Sequence, residues 1–155
     1  MLFRSVYFRA FKSEKILELY VLDTTNKYIL FQTYPICAAS GVLGAKRREG
    51  DTQVPEGVYH INRFNPKSDF HLSLGLDYPN ASDLRFCDAA KPGGDIFIHG
   101  GCASIGCLAM TDDAIKEIYL LAQAAKEKGQ SKIPDRKSTR LNSSHRNTSR
   151  MPSSA

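Results

Sequence analysis

The 155-residue sequence predicts a mostly-β domain with one long helix. Three observations predict it. Runs rich in β-branched and aromatic residues recur at short intervals, with polar or Gly/Pro-containing turns between them. Only one segment, 112–128, combines helical spacing of apolar residues with a stop signal at each end. A hydrophobic content of 42% over 155 residues suffices for one core and is too little for two comfortable ones.

The elements follow in order. Val6, Phe8 and Phe11, with Tyr7 and Arg9 between, open the chain as strand. Ile16, Leu17, Leu19, Tyr20, Val21 and Leu22 form a second run. The polar stretch 23–27 (D-T-T-N-K) then leads into Tyr28, Ile29, Leu30 and Phe31, which is a hairpin signature. Residues 34–41 close that unit, and the charged, Gly-containing stretch 44–55 reads as a surface loop. A short strand is expected at 58–61. Residues 62–95 are loop-rich, with one strand candidate at 70–74, and 96–98 form a short apolar strand. In the helix, Thr111 is the N-cap and Asp112 and Asp113 lie in the first turn. Ile115, Ile118, Tyr119 and Ala122 share a face, and Lys126 and Lys128 precede Gly129 as the stop.

The chain changes character after Pro134. Of the last 21 residues ten are Ser, Thr or Asn, and only Leu141, Met151 and Ala155 are apolar, so this stretch cannot bury enough surface to offset its ordering entropy. The expected organisation is therefore one domain over 1–134, and a disordered tail over 135–155 that is either solvated or non-native. The tail also dominates the charge. The net charge is +5, and Arg136, Lys137, Arg140, Arg146 and Arg150 against Asp135 carry +4 of it. The 16 basic and 15 acidic residues of 1–134 are nearly balanced, which argues against nucleic-acid binding. No run approaches eighteen apolar residues, so no transmembrane helix is expected. No secretory signal precedes the first strand, so the chain is either cytoplasmic or lacks its natural start.

Chemistry concentrates at 98–112, I-H-G-G-C-A-S-I-G-C-L-A-M-T-D. His99 stands at a strand exit, a Gly/Ser-rich loop follows, and Cys107 comes shortly before the capped helix. A histidine within reach of a cysteine can take its proton and leave a nucleophilic thiolate. The helix N-terminus would favour that charge, and amides around Gly106 and Cys107 could hold an oxyanion. Other readings compete. Cys87, His99, Cys102 and Cys107 could ligate zinc, although they lack paired C-x2-C spacing. Two of the four cysteines could form a disulfide. Cys37 and Cys87 read first as packed, buried thiols. His60 and His71 read as structural or surface histidines. Arg63, Lys46 and Arg85 are weaker candidates for meeting a substrate carboxylate.

These residues also carry a family resemblance. The stretch 98–110 resembles the His-Gly…Ser-x-Gly-Cys motif of the L,D-transpeptidase catalytic domain family, and 44–59 (G-A-K-R-R-E-G-D-T-Q-V-P-E-G-V-Y) resembles the family's Gly-Asp-x-x-x-Pro-x-Gly-x-Tyr loop. Residues 64–74 and 78–83 are similar to a bacterial branch of murein-active enzymes that includes one releasing a peptidoglycan-linked lipoprotein. The resemblance covers roughly residues 3–133. It implies a β-sandwich or barrel-like catalytic fold, with Cys107 as nucleophile and His99 as base. It further implies the Gly100 carbonyl as third member, Ser104 ordering the loop, and Gly106 beside the nucleophile. Ile105 departs from the family's usual histidine at that position. The implied activity is cysteine-dependent acyl transfer on peptidoglycan stem peptides in the periplasm or cell envelope, without cofactor or metal. A murein hydrolase and a non-catalytic wall-binding module remain as alternatives.

Overall fold

The structure, a computed structural model, describes residues 4–104 and 106–139; Ile105 and most of the expected tail, 140–155, lie outside the described residues. Nine strands appear among those residues: β1 (Val6–Phe11), β2 (Ile16–Leu22), β3 (Tyr28–Pro35), β4 (Ala38–Ala39), β5 (Gly57–Ser68), β6 (His71–Leu76), β7 (Phe97–His99), β8 (Leu108–Ala109) and β9 (Ile133–Ser138). They form one curled, half-barrel sheet in the order β3-β2-β1-β9-β5-β6-β7-β8-β4. Two helices, α1 (Ala81–Phe86) and α2 (Asp112–Glu127), accompany it. The expected mostly-β class with one main helix is the observed one.

Local chemistry accounts for most elements. The β2–β3 hairpin turns where Asp23 Oδ1 accepts from the amides of Thr25 and Lys27. α2 starts where Thr111 Oγ1 accepts from Ala114 N at 3.2 Å. Its apolar face, Ile115, Ile118, Tyr119, Ala122 and Ala125, packs into the core with Leu74, Leu76 and Ile98. α1 lies within the stretch expected to be loop-rich and is a short helix closed by an Asn80–Asp83 capping box. Buried Asp83 also accepts from Tyr59 Oη at 2.8 Å, so this turn is tied to β5.

The expected boundary at Pro134 is corrected by β9. Residues 135–138 do not begin a tail; they continue β9 from Ile133. They pair in parallel with β1 and antiparallel with β5, near the middle of the sheet. Opposite Phe8 and Ala10 of the core stand Asp135 and Lys137, 0% and 2% exposed. Their charges meet at 2.6 Å. Two open strand edges supply backbone hydrogen bonds to any residue type. A same-face ion pair two residues apart then lets a charged sequence occupy a core strand.

Candidate active site

β7 and β8 run parallel, with Ile98 opposite Leu108 and His99 opposite Ala109. Side chains alternate along strands, so this register brings His99 and Cys107, one residue ahead of β8, to the same side. Both line one cavity of about 410 Å³. Phe97 and Asp95 form one wall, and Ser68, Phe70 and Ser73 of the β5–β6 hairpin form another. Phe97 N–H donates to Cys107 Sγ at 3.4 Å, and Sγ faces the Asp95 carbonyl at 3.8 Å.

His99 is buried, and its Nδ1 lies 2.5 Å from the Gly100 carbonyl oxygen. A carbonyl only accepts, so Nδ1 carries the proton and Nε2 is the basic nitrogen. Gly100 tolerates no side chain. A Cβ there would come within 2.8 Å of Asp112 Oδ1 and of the Phe70 carbonyl.

The loop between His99 and Cys107 is braced from the segment after β3. Cys37 N–H donates to Ala109 O at 2.9 Å, and Cys37 is disulfide-bonded to Cys102. Ser40 Oγ accepts from Gly106 N–H at 2.5 Å and donates to Thr52 O at 2.6 Å. Ser104 Oγ donates to the Cys107 carbonyl and accepts from Ser40 N–H at 3.2 Å. Gly106 has φ +97°, a conformation glycine adopts without strain. The 44–59 motif braces the other side of this segment. Asp51 accepts from Lys46 Nζ at 2.6 Å and from the amides of Arg47, Arg48 and Gln53. Gln53 bonds both Val42 and Gly44.

Several expectations are corrected here. Cys37 is not a packed thiol; it crosslinks to Cys102 in the loop between His99 and Cys107. The Gly106 amide is engaged by Ser40, so it does not point at an oxyanion in this structure. β8 lies between Cys107 and α2 in the chain, Thr111 caps the helix, and Asp112 Oδ1 accepts from Gly101 N–H at 2.9 Å. The Cys107 thiol is not lowered. Burial pushes it above its ordinary value, opposed by the Phe97 amide and the charges of Lys137 and Lys46, with Asp95 adding to the rise. The zinc set is dispersed: Cys102 is bonded to Cys37, and Cys87 Sγ donates to Lys46 O. Lys46 is buried against Asp51, not presented to a substrate. Arg63 pairs with Asp95 at 3.3 Å on the cavity rim, and Arg85 lies on α1. His60 faces Asp77 at 3.2 Å, while His71 is an exposed residue at the start of β6.

Ser40, Phe70 and Asp95 are site residues that sequence reasoning did not single out. Ser40 stands 64 positions from Ser104, and nothing local in C-A-A-S-G marks it.

Comparison with known proteins identifies the family and the fold. The YkuD family model, described as the L,D-transpeptidase catalytic domain, matches residues 6–134. A putative L,D-transpeptidase, YafK, of Escherichia coli is 39% identical over 130 residues, which is 83% of this chain and 51% of that protein. The chain thus spans about half the length of the curated relatives it matches. Among solved structures, the helical cell shape determining protein Pgp2 of Campylobacter jejuni superposes with a TM-score of 0.69 at 23% identity, over 89% of this chain and 49% of that one. Bd1075 of Bdellovibrio bacteriovorus superposes with a TM-score of 0.64 at 21% identity, over 90% of this chain and 49% of that one. At these identities the structural likeness speaks for the fold.

Proposed function

The chain belongs to the L,D-transpeptidase catalytic domain family, and from that premise we propose that it is a cysteine-dependent acyl transferase acting on the stem peptides of peptidoglycan. The observation that carries this reading is the shared cavity of Cys107 and His99, with the imidazole held so that Nε2 is its basic nitrogen.

Burial keeps Cys107 a thiol in the resting protein, so His99 acts as a general base when substrate arrives, not as half of a standing ion pair. Nε2 takes the Sγ proton as sulfur attacks a stem-peptide carbonyl. The Gly100 carbonyl, bonded to Nδ1–H, holds the ring in place and supports the imidazolium that forms. The tetrahedral oxyanion collapses, the C–N bond breaks, and the leaving amine receives the proton from Nε2. The acyl group is now a Cys107 thioester. A second amine attacking it gives a cross-link; water gives cleavage. Either nucleophile gives its proton to His99 Nε2 as the C–S bond breaks, and the imidazolium passes that proton to the released Cys107 sulfur. Ser104, Gly106 and Ser40 keep the nucleophile loop in register throughout. No step requires a metal or organic cofactor.

A periplasmic or envelope setting belongs to the same proposal. The Cys37–Cys102 disulfide supports it, since disulfides persist in oxidising compartments. No helix among the described residues is long and apolar enough to cross a membrane.

The test is mass spectrometry of muropeptides after incubation of the protein with peptidoglycan. New cross-linked species identify the transferase, and shortened stems identify the hydrolase alternative, including one that frees a wall-linked lipoprotein. Both must vanish in Cys107→Ala. Wall binding with unchanged muropeptides would replace this reading with a binding module.

A further inference from the structure

Phe70 is half exposed, an unusual position for a large apolar side chain at a hairpin turn. It closes the β5–β6 hairpin, where Ser68 pairs with His71 and Ser68 Oγ accepts from Phe70 N–H at 3.1 Å. His71 has φ +78°, so the turn is drawn tight just beyond Phe70. The ring lies over the His99 imidazole, with centroids 4.7 Å apart and planes inclined by 37°.

The backbone geometry builds this contact. Ser73 pairs with His99 across β6 and β7, and Gly100 N–H donates to Leu72 O at 3.2 Å. The Phe70 carbonyl would sit 2.8 Å from a Cβ on Gly100, and the Phe70 ring 3.5 Å from one on Gly101. Two consecutive residues without side chains therefore let the turn settle onto the segment that carries the base.

We propose that Phe70 is a positioning residue for His99, clamping one face of the imidazole so that Nε2 stays aimed into the cavity. The Nδ1 hydrogen bond to Gly100 holds one edge of the ring but leaves tilt about that bond open. A second aromatic ring on the face removes this freedom, and its π surface favours the imidazolium formed when the thiol is deprotonated. The inference rests on the assignment of His99 as base.

The experiment is a double-mutant cycle read by the rate of Cys107 alkylation with iodoacetamide at pH 7, which needs no wall substrate. Phe70→Leu keeps an apolar side chain and removes the stack. The expected slowing is about three- to tenfold, the range of an aromatic pair. In a His99→Ala background the same substitution should change nothing further, and Phe70→Tyr should restore the rate. Thermal unfolding of each variant separates this from loss of fold; if Phe70→Leu unfolds, Phe70→Met takes its place in the cycle. An unchanged rate in Phe70→Leu, or equal slowing with and without His99, overturns the inference while leaving His99 as base. If His99→Ala itself alkylates at the wild-type rate, the assignment of the base falls, and this inference with it.

Discussion

At the scale of single residues, the proposed mechanism turns on the state of the Cys107 thiol. Its surroundings pull in opposite directions. Removal from water disfavours the thiolate and wins; the Phe97 amide and two lysine charges reduce the effect without reversing it. The resting protein should therefore be slow towards thiol reagents at neutral pH. The pH dependence of Cys107 alkylation, followed on its own peptide, should reach half its maximum above the ordinary thiol value of about 8.5. A midpoint at or below neutral pH would show a standing thiolate and remove the general-base role of His99. Sequence reasoning put a helix dipole beside Cys107 because the cap follows so closely. Two strand residues and a capping hydroxyl stand between them in the chain.

At the scale of elements, β9 joins the two halves of the sheet. Without it, β1 and β5 would be unpaired edges inside the molecule. Its Asp135–Lys137 pair lies on the core face, both side chains fully buried. Lys137→Met should strand a buried carboxylate and cost about 3–5 kcal/mol in urea unfolding. The double variant Asp135→Leu with Lys137→Met should recover most of that loss, because it removes both desolvated charges. A single-variant cost below about 1 kcal/mol would mean that the pair is hydrated rather than buried.

At the scale of the whole molecule, the loop that braces the site couples stability to pH. Burial works against the Asp51 carboxylate, but Lys46 and three backbone amides overcome it and hold its pKa at about 2, against an ordinary 3.8. The sign follows directly. The folded value lies below the unfolded one, so this stabilisation is complete above about pH 4 and is lost as pH falls towards 2. Thr139, the Gly44 amide and Lys12 hold Glu56 below its ordinary value against its own burial, so it acts in the same sense. Asp51→Asn should lower stability at pH 7 by on the order of 2 kcal/mol and flatten its decline between pH 4 and 2. Denaturant unfolding at pH 7, 4 and 2.5 measures both. An unchanged acid decline in the variant would place the titrating group elsewhere.

What the sequence determined by itself was what local chemistry encodes. The β2–β3 hairpin was legible from its polar turn and α2 from its cap, its apolar spacing and its stop. That His99 and Cys107 share one cavity was legible because the two stand only eight positions apart, in a stretch crowded with small residues. Tertiary structure decided the rest. D-R-K-S, 135–138, has no strand pattern of its own and joins β9 because two edges wait for it. Cys37 reaches Cys102 across 65 positions, and Ser40 reaches Ser104 across 64; neither is marked by any local signal. The same holds for Phe70, whose place over His99 depends on the register between β6 and β7. Backbone hydrogen bonds and close packing reward any residue that the fold brings near. For that reason, the groups that brace and aim the chemistry could be found only once the strands were paired.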